Sequence, residues 1–149
     1  MEAVLSRDNL KVAYERVVSN RGSAGVDGVQ VKDLAAYLRT HWASISQAVR
    51  TGKYVPQAVL GVKIPKSSGG LRQLGIPTVI DRMLQQAIHQ VLSRIWEPTF
   101  SDYSYGFRPK RNAHQALFQA TKYINAGYQD IIDLDLKSFF DRVDHDILM

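Results

Sequence analysis

Two aspartates separated by one residue are the part of this sequence best suited to chemistry. Asp133 and Asp135 lie in a run of alternating apolar and acidic residues, IIDLDL, at positions 131–136. This period of two predicts a β-strand with both carboxylates on one face. Carboxylates at the end of a rigid strand are ligands that Mg²⁺ prefers. Aspartates at strand ends also form turns and helix caps, so the pattern alone leaves a structural role open.

A basic hairpin is the second candidate site. Two alternating apolar runs, Leu60 to Ile64 and Leu71 to Ile76, flank a turn with the sequence KSSGG. The pattern predicts two antiparallel strands that project Lys63, Lys66 and Arg72 around a glycine-bearing turn. Lysine and arginine side chains in that arrangement are suited to holding phosphate groups.

Charge is segregated along the 149 residues. The net charge is +5, but residues 50–111 carry ten bases and three acids, whereas residues 112–149 carry three bases and six acids. A basic segment followed by clustered aspartates suits a polyanion held beside a divalent cation. An ordinary solvated surface gives the same pattern. The absence of cysteine excludes disulfides and thiolate metal sites.

Helices are expected to position both candidate sites. Four segments carry apolar residues at helical spacing, and they lie between Ser6 and Asn20, Leu34 and Gly52, Thr78 and Pro98, and Asn112 and Gly127. A glycine-rich loop is expected at residues 20–28, an ordered loop at residues 99–111 and the start of a further helix at residues 139–149. No secretory or membrane-spanning pattern is found, which predicts a cytoplasmic protein.

Four segments in chain order resemble the reverse transcriptases encoded by group II introns. They are Gly25-Val26-Asp27-Gly28, Ile64-Pro65-Lys66 through Arg72 to Thr78 with Asp81-Arg82, Ser104-Tyr105-Gly106-Phe107-Arg108-Pro109, and Asp135 through Asp141. They are similar to that family's N-terminal loop motif, first and second fingers motifs and first palm motif. Gln73 stands where many relatives have proline, and a strand interior accepts glutamine better than proline. The family's second palm motif, an aromatic residue and alanine followed by two aspartates, is absent.

The resemblance implies an α+β fold. Residues 1–128 would form a mostly helical fingers region with one hairpin, and residues 129–149 the first strand and helix of a palm. It also implies an RNA-directed DNA polymerase with a maturase role in the complete protein, whose partners are group II intron RNA, an RNA template, a DNA primer and dNTPs. Without the second pair of palm aspartates, the fragment itself is expected to be inactive. An incomplete palm sheet has an unpaired edge, so a dimer is expected.

The resemblance also implies roles for individual residues. Asp135 is expected to be the catalytic ligand of Mg²⁺, whereas Asp133 matches no fixed acid of the family. Lys66 and Arg72 are expected to contact the β- and γ-phosphates of a dNTP, and Phe140 to exclude a 2′-hydroxyl. Contacts with template or intron RNA are expected from five other cations: Lys63, Arg108, Lys110, Arg111 and Arg21. A plain surface charge is the alternative at each cation.

Two other functions stay open at this point. The basic segment of residues 50–111 favours a non-catalytic RNA-binding module that assists intron folding. Alternatively, Asp133 and Asp135 resemble the nucleophile pair of phosphohydrolases of the haloacid dehalogenase type. That family places threonine or valine where this sequence has Lys137, which argues against the phosphohydrolase function.

In the second fingers motif, Gly106 is expected to supply an unusual backbone angle.

Overall fold

The structure is a computed structural model that describes residues 1–67, 69–136 and 139–148; four side chains, Phe140, Asp141, His145 and Leu148, lie outside the described part. It divides into two compact units, Met1–Phe100 and Ser101–Met149. Among the described residues, the first unit contains three α-helices and a two-stranded sheet, and the second contains one longer helix and two single-turn helices. The predicted α+β fold class is confirmed. The assignment of residues 1–128 to fingers and 129–149 to palm stays a prediction.

Helix α1 spans Arg7–Ser19, α2 spans Leu34–Arg50 and α3 spans Val79–Trp96. Short 3₁₀ helices, Val31–Asp33 and Glu97–Thr99, precede α2 and follow α3. These helices lie where the apolar periodicity predicted them. None of the helices within the described ranges has both the length and the apolar character that crossing a membrane requires.

The core of the first unit lies where α1 packs against the first half of α3. Its buried apolar side chains are Leu5, Ala13, Val17, Leu34, Val79, Ile80, Met83, Leu84 and Ala87. Asn9 is also buried, and its Nδ2 donates to Val4 O at 2.9 Å and to Ala87 O at 3.0 Å. Gln90 Nε2 in turn donates to Asn9 Oδ1 at 2.8 Å. This buried polar network orients α1 on α3 because each of its groups has a partner.

The second half of α3 departs from the sequence prediction. Ile88 and Ile95, which the helical periodicity placed in the core, are 42% and 59% exposed. The first half is buried by α1, and the described residues of this unit do not cover the later turns. Periodicity identifies an apolar face, but it does not reveal whether a neighbour is present to cover that face.

The hairpin forms as predicted. Strand β1 spans Leu60–Pro65 and strand β2 spans Leu71–Ile76, and the two are antiparallel with Leu60 opposite Ile76 and Pro65 opposite Leu71. Strand β2 ends directly before α3, whose first turn is capped by Thr78: its hydroxyl accepts a hydrogen bond from Asp81 N at 3.1 Å. The hairpin and α3 are therefore joined by a short, well-defined corner.

The second unit contains α4, which spans Ala113–Asn125, and two single-turn helices, α5 at Phe139–Arg142 and α6 at His145–Leu148. Asn112 and Gln115 form a reciprocal capping box at the start of α4. The apolar spacing of this helix predicts that Leu117 and Ile124 are buried, and that prediction is wrong, since they are 66% and 56% exposed. A helix begins at Phe139, as predicted, but it ends at Arg142 and a second one begins at His145. Asp144 Oδ1 accepts from Asp146 N and Ile147 N, which starts a new helical turn there.

The palm strand predicted at residues 131–136 is not present. These residues have neither helical nor strand structure, and Leu134 is 88% exposed. A strand exists through hydrogen bonds to a neighbouring strand. No described segment of the second unit pairs with these residues. The alternation of apolar and acidic residues is therefore not enough to form a strand here, because the described part of the chain contains no strand that pairs with residues 131–136.

Candidate nucleotide and RNA interface

The hairpin separates two of its predicted phosphate-binding cations onto different faces. Opposite residues of an antiparallel pair project to the same face, and faces alternate along each strand. Arg72 pairs with Ile64, whereas Lys63 pairs with Gln73. Lys63 and Arg72 therefore project from opposite faces. The sequence predicted that these cations lie around one turn, and the register adds that Lys63 projects away from the face that carries Arg72.

Lys66 lies on the Arg72 side of the hairpin. Its backbone N–H donates to Gly70 O at 3.0 Å, which continues the ladder one step beyond Pro65 and Leu71. Alternation then directs the Lys66 side chain to the face that carries Arg72. Both residues are exposed. The two cations predicted to contact a triphosphate thus share one accessible face near the tip.

The other face of the hairpin carries Lys63 and is closely packed at its base. Gly61 and Gly75 are opposite each other on this face. A Cβ on Gly61 would lie 2.8 Å from Gln73 Nε2, and one on Gly75 would lie 2.9 Å from Val59 Cγ2. The Gln73 amide therefore fills the space above Gly61. This face presents an amide and an ammonium group, which suits contact with a nucleic-acid backbone.

The glycine-rich loop after α1 is held against the start of α3 by Arg82. The Arg82 Nη2 donates to Ser23 O at 2.6 Å. A Cβ on Gly22 would overlap Arg82 Nη1, and a Cβ on Gly25 would lie 2.7 Å from Thr78 Cα. Both glycines therefore permit the close approach. Sequence reasoning did not find this role of Arg82, because its partner is 59 positions away and no local spacing marks it.

Arg21 lies at the start of the same loop. Its φ is +48°, a left-handed conformation that residues other than glycine seldom adopt. The backbone N–H donates to Val18 O at 3.2 Å, and the residue is exposed. The side chain has no hydrogen-bond or ion-pair partner within the described residues. Contact between Arg21 and RNA stays a prediction.

A buried carboxylate fixes the segment between α2 and the hairpin. Asp81 is 3% exposed, and it accepts from Tyr54 Oη at 2.7 Å, Thr78 Oγ1 at 2.7 Å and Gln57 N at 3.2 Å. Burial of the Tyr54 phenol, and then its hydrogen bond to Asp81, raise the pKa of Tyr54 well above its ordinary range. The spacing Thr78-x-x-Asp81 is a capping signal that would have identified this residue as structural.

In the second unit, two of the predicted RNA-binding cations organise their own loop. Arg108 Nη1 donates to Ser101 O at 2.5 Å and to Ser104 O at 3.0 Å. Arg111 forms an ion pair with Asp102 at 3.0 Å, and its guanidinium lies 5.8 Å from the centre of the Tyr105 ring. The loop at residues 99–111 is thus ordered, as predicted. RNA binding by Arg108 and Arg111 stays a prediction.

The tip of this loop is the most exposed part of the second fingers motif. Phe107 and Lys110 have φ of +56° and +61°, and Phe107 is fully exposed. Gly106, which was expected to supply the unusual backbone angle, is not among the residues with positive φ, and a Cβ added to it would meet nothing within 4 Å. The left-handed conformation lies at the next residue instead. Lys110 is exposed and available for a backbone phosphate.

Asp133 and Asp135 lie in the exposed segment before α5. Their oxygens are of the type that hard divalent cations prefer. Within the described residues, no three acidic or histidine side chains approach closely enough to hold a metal ion. Metal binding by Asp135 therefore stays a prediction. The predicted steric gate, Phe140, falls on a side chain outside the described residues.

The match to known families begins inside β1. Residues 64–149 match the family described as reverse transcriptase (RNA-dependent DNA polymerase). That range contains the hairpin tip with Lys66 and Arg72, the loop with Arg108, and Asp135. The predicted motifs therefore fall within one continuous family match, except for the glycine-rich loop that precedes it.

Three curated proteins illustrate the likeness. Protein YkfC of Escherichia coli is 39% identical over 146 residues, which cover 94% of this chain and 38% of YkfC. The group II intron-encoded protein LtrA of Lactococcus lactis is 36% identical over 143 residues, which cover 95% of this chain and 24% of LtrA. Nuclear intron maturase 1 of Arabidopsis thaliana is 33% identical over 73 residues, which cover 49% of this chain and 10% of that protein.

The chain thus spans well under half the length of these relatives. The family match nevertheless covers more than half of the chain, and LtrA aligns over almost all of it. The resemblance to group II intron-encoded proteins, first seen in four short motifs, is confirmed. The chain belongs to the reverse transcriptase (RNA-dependent DNA polymerase) family.

Proposed function

We propose that this chain forms the fingers and the beginning of the palm of an RNA-directed DNA polymerase of the group II intron type. The observation that carries the proposal is the location of Lys66 and Arg72 on one exposed face of the hairpin. In this role the Arg72 guanidinium binds two phosphate oxygens of a dNTP, and Lys66 adds a compact positive charge. Phe140 then excludes the 2′-hydroxyl of a ribonucleotide.

The RNA template and intron RNA would be bound by the remaining cations. Lys63 is separated from Arg72 by the register of the hairpin, which supports a contact with the template backbone rather than with the nucleotide. In the second unit, exposed Lys110 provides a phosphate contact next to the ordered Arg108 and Arg111 side chains. Arg21 provides another from the glycine-rich loop. These contacts are to backbone phosphates and carry no base specificity.

Members of this family use divalent metal ions, and we assign Asp135 as a ligand of Mg²⁺. A carboxylate oxygen is a donor that Mg²⁺ prefers. Further ligands, in addition to Asp135, would complete the coordination. A bound Mg²⁺ would activate the primer 3′-hydroxyl and neutralise charge on the triphosphate. Asp133 lies two residues earlier and serves at most to orient ligands. The 149 residues lack the family's second pair of palm aspartates, so they are not expected to polymerise DNA by themselves.

Primer extension tests the assignment of Asp135. In a polypeptide that joins this chain to a complete palm and thumb, Asp135→Asn should abolish template-primer extension, because the amide cannot replace an anionic metal ligand. Asp133→Asn is the matched control and should keep most of the activity. Undiminished extension by the Asp135→Asn enzyme would reject the assignment.

A second candidate function is RNA binding without catalysis. The ten bases of residues 50–111 support it, as does the likeness to a protein named an intron maturase. In a maturase role, the parent protein would use these bases to hold intron RNA during splicing. Filter binding with a structured intron RNA tests the idea, since phosphate contacts predict an affinity that falls steeply as salt rises. RNA affinity that is absent, or insensitive to salt, would refute it.

We also propose that the chain acts in the cytoplasm and that it associates with itself. The association would bury the exposed apolar segment at residues 131–136, whose alternating pattern suits pairing with a second strand. The mass of the chain in solution tests this association.

A further inference from the structure

An apolar groove of about 500 Å³ lies between α1 and α2 in the first unit. Its lining includes six large apolar side chains: Leu5, Leu10, Tyr14, Leu38, Trp42 and Met83. Leu5 and Met83 are buried at its base, whereas the aromatic rings of Tyr14 and Trp42 are half-buried at its sides. The groove is therefore open to solvent between residues of α1 and α2. None of the cations assigned to the nucleotide or RNA lines it.

The rim of this groove is positively charged. Arg7 and Lys11 lie one turn apart on α1, and Arg39 lies on α2. All three are exposed, and no carboxylate is among the lining residues. None of the three has an ion-pair or hydrogen-bond partner for its side chain in the described part of the protein. An apolar floor between unpaired cations is complementary to an apolar stripe with acidic residues beside it.

We propose that the groove binds an acidic amphipathic α-helix of a partner protein. A helix laid into such a groove inserts apolar anchors at positions i, i+3 or i+4, and i+7, and the volume suits about three of them. Acidic residues flanking that stripe would then meet Arg7 and Lys11 on one side and Arg39 on the other. The surface is separate from the proposed nucleotide site, and the inference does not rest on polymerase function.

Other occupants fit less well. The aliphatic floor offers no donors or acceptors that would read RNA bases, which are recognised through stacking and hydrogen-bonded edges. Helix α4 of a second copy has an exposed apolar face, but its sequence AHQALFQATKYIN contains no acidic residue and one lysine. It would bring no negative charge to the three cations. Of these occupants, an acidic helix fits both the floor and the rim.

A designed peptide tests the proposal with the 149-residue chain. The probe is a fluorescent amphipathic helix of about 16 residues, with leucines on one face and glutamates on both flanks. We expect saturable binding by fluorescence anisotropy, and a loss of about tenfold or more in affinity for Arg39→Glu and for Arg7→Glu. Lys32→Glu is the matched control, since Lys32 is exposed and does not line the groove. Circular dichroism of each variant establishes that it is folded.

Three outcomes would overturn the proposal. Equal binding of a peptide with lysines in place of the glutamates would show that charge has no part in recognition. A short single-stranded RNA that displaced the peptide, and that lost affinity in Arg39→Glu, would identify a nucleic-acid site instead. A dimer detected by light scattering that Leu38→Glu converts to monomer would identify the groove as a contact between copies of this chain.

Discussion

At the scale of single residues, the cations of this chain fall into two groups that their residue types do not distinguish. Arg82 and Arg108 donate to backbone carbonyls and fix loops, whereas Lys66 and Arg72 are exposed on one face of the hairpin. The turn context predicted that Lys66 and Arg72 lie near an exposed tip, and their binding of phosphate stays a prediction. The backbone contacts of Arg108 were not predicted, because the carbonyls that accept from it come together only in the folded loop; its contact with RNA also stays a prediction.

Asp81 illustrates a residue whose substitution should affect stability rather than binding. In the wild type, three donors bind the two carboxylate oxygens of Asp81: Tyr54 Oη, Gln57 N and Thr78 Oγ1. Asp81→Asn keeps only one of these oxygens as an acceptor, and its new NH₂ group would face at least one of the three donors. We expect a loss of about 2 kcal/mol or more in the free energy of unfolding, measured by urea denaturation. Asp102→Asn, which breaks only the exposed pair with Arg111, should cost less than about 1 kcal/mol. Equal effects would contradict the buried role.

Tyr54 should make stability depend on alkaline pH. Burial and the hydrogen bond to Asp81 raise the pKa of Tyr54, so the folded state favours the neutral phenol. This contribution is fully present below the unfolded-state pKa of about 10 and is lost as pH rises through the folded-state pKa. Tyr54→Phe should therefore lose less stability than the wild type above about pH 10. Tyr128→Phe, which changes an exposed tyrosine, should follow the wild-type curve; thermal unfolding measured between neutral and alkaline pH compares the three proteins.

At the scale of elements, the sequence predicted what is determined locally. The Thr78 cap, the Asn112 start of α4 and both hairpin strands were found because capping residues and alternation act over a few positions. The strand at residues 131–136 and the burial of α4 were not, because each needs a partner surface that the described residues lack. The opposite faces of Lys63 and Arg72 were missed for a related reason: the register across the tip sets which residues share a face.

The attachment of the glycine-rich loop to α3 is the contact between elements most open to test. Gly25→Ala would place a Cβ 2.7 Å from the Thr78 Cα, a backbone atom that cannot move aside. We expect faster amide hydrogen exchange across residues 20–28 and a clear loss of stability. Gly106→Ala is the control, because its Cβ would meet nothing within 4 Å. Unchanged exchange in Gly25→Ala would show that the loop is not held against Thr78.

At the scale of the whole molecule, the two units differ in how well they bury their apolar residues. The first has a core between α1 and α3. The second has none of its large apolar side chains fully buried among the described residues, and Ile132 and Leu134 are 84% and 88% exposed. An exposed apolar segment with strand-like alternation favours association through its edge.

Self-association is therefore expected, and light scattering measures it directly. The wild-type chain should have a mass above that of the 16.8 kDa monomer. Leu134→Lys should shift it towards the monomer, because a charge on the apolar face opposes burial. Lys122→Glu is the control, because it changes the charge of α4 without adding a charge to residues 131–136. A strictly monomeric wild type would remove the proposal.

Binding of a nucleotide by the hairpin is tested most directly by comparing the dissociation constants of this chain for a dNTP and for the matching dNMP. The wild-type chain should prefer the triphosphate, and Lys66→Ala and Arg72→Ala should each weaken it by about tenfold or more, as expected for charge-assisted hydrogen bonds. Lys63→Ala, on the opposite face, should leave this preference unchanged. Equal affinity for the two nucleotides, or a loss in Lys63→Ala as large as in Arg72→Ala, would contradict a phosphate site on that face.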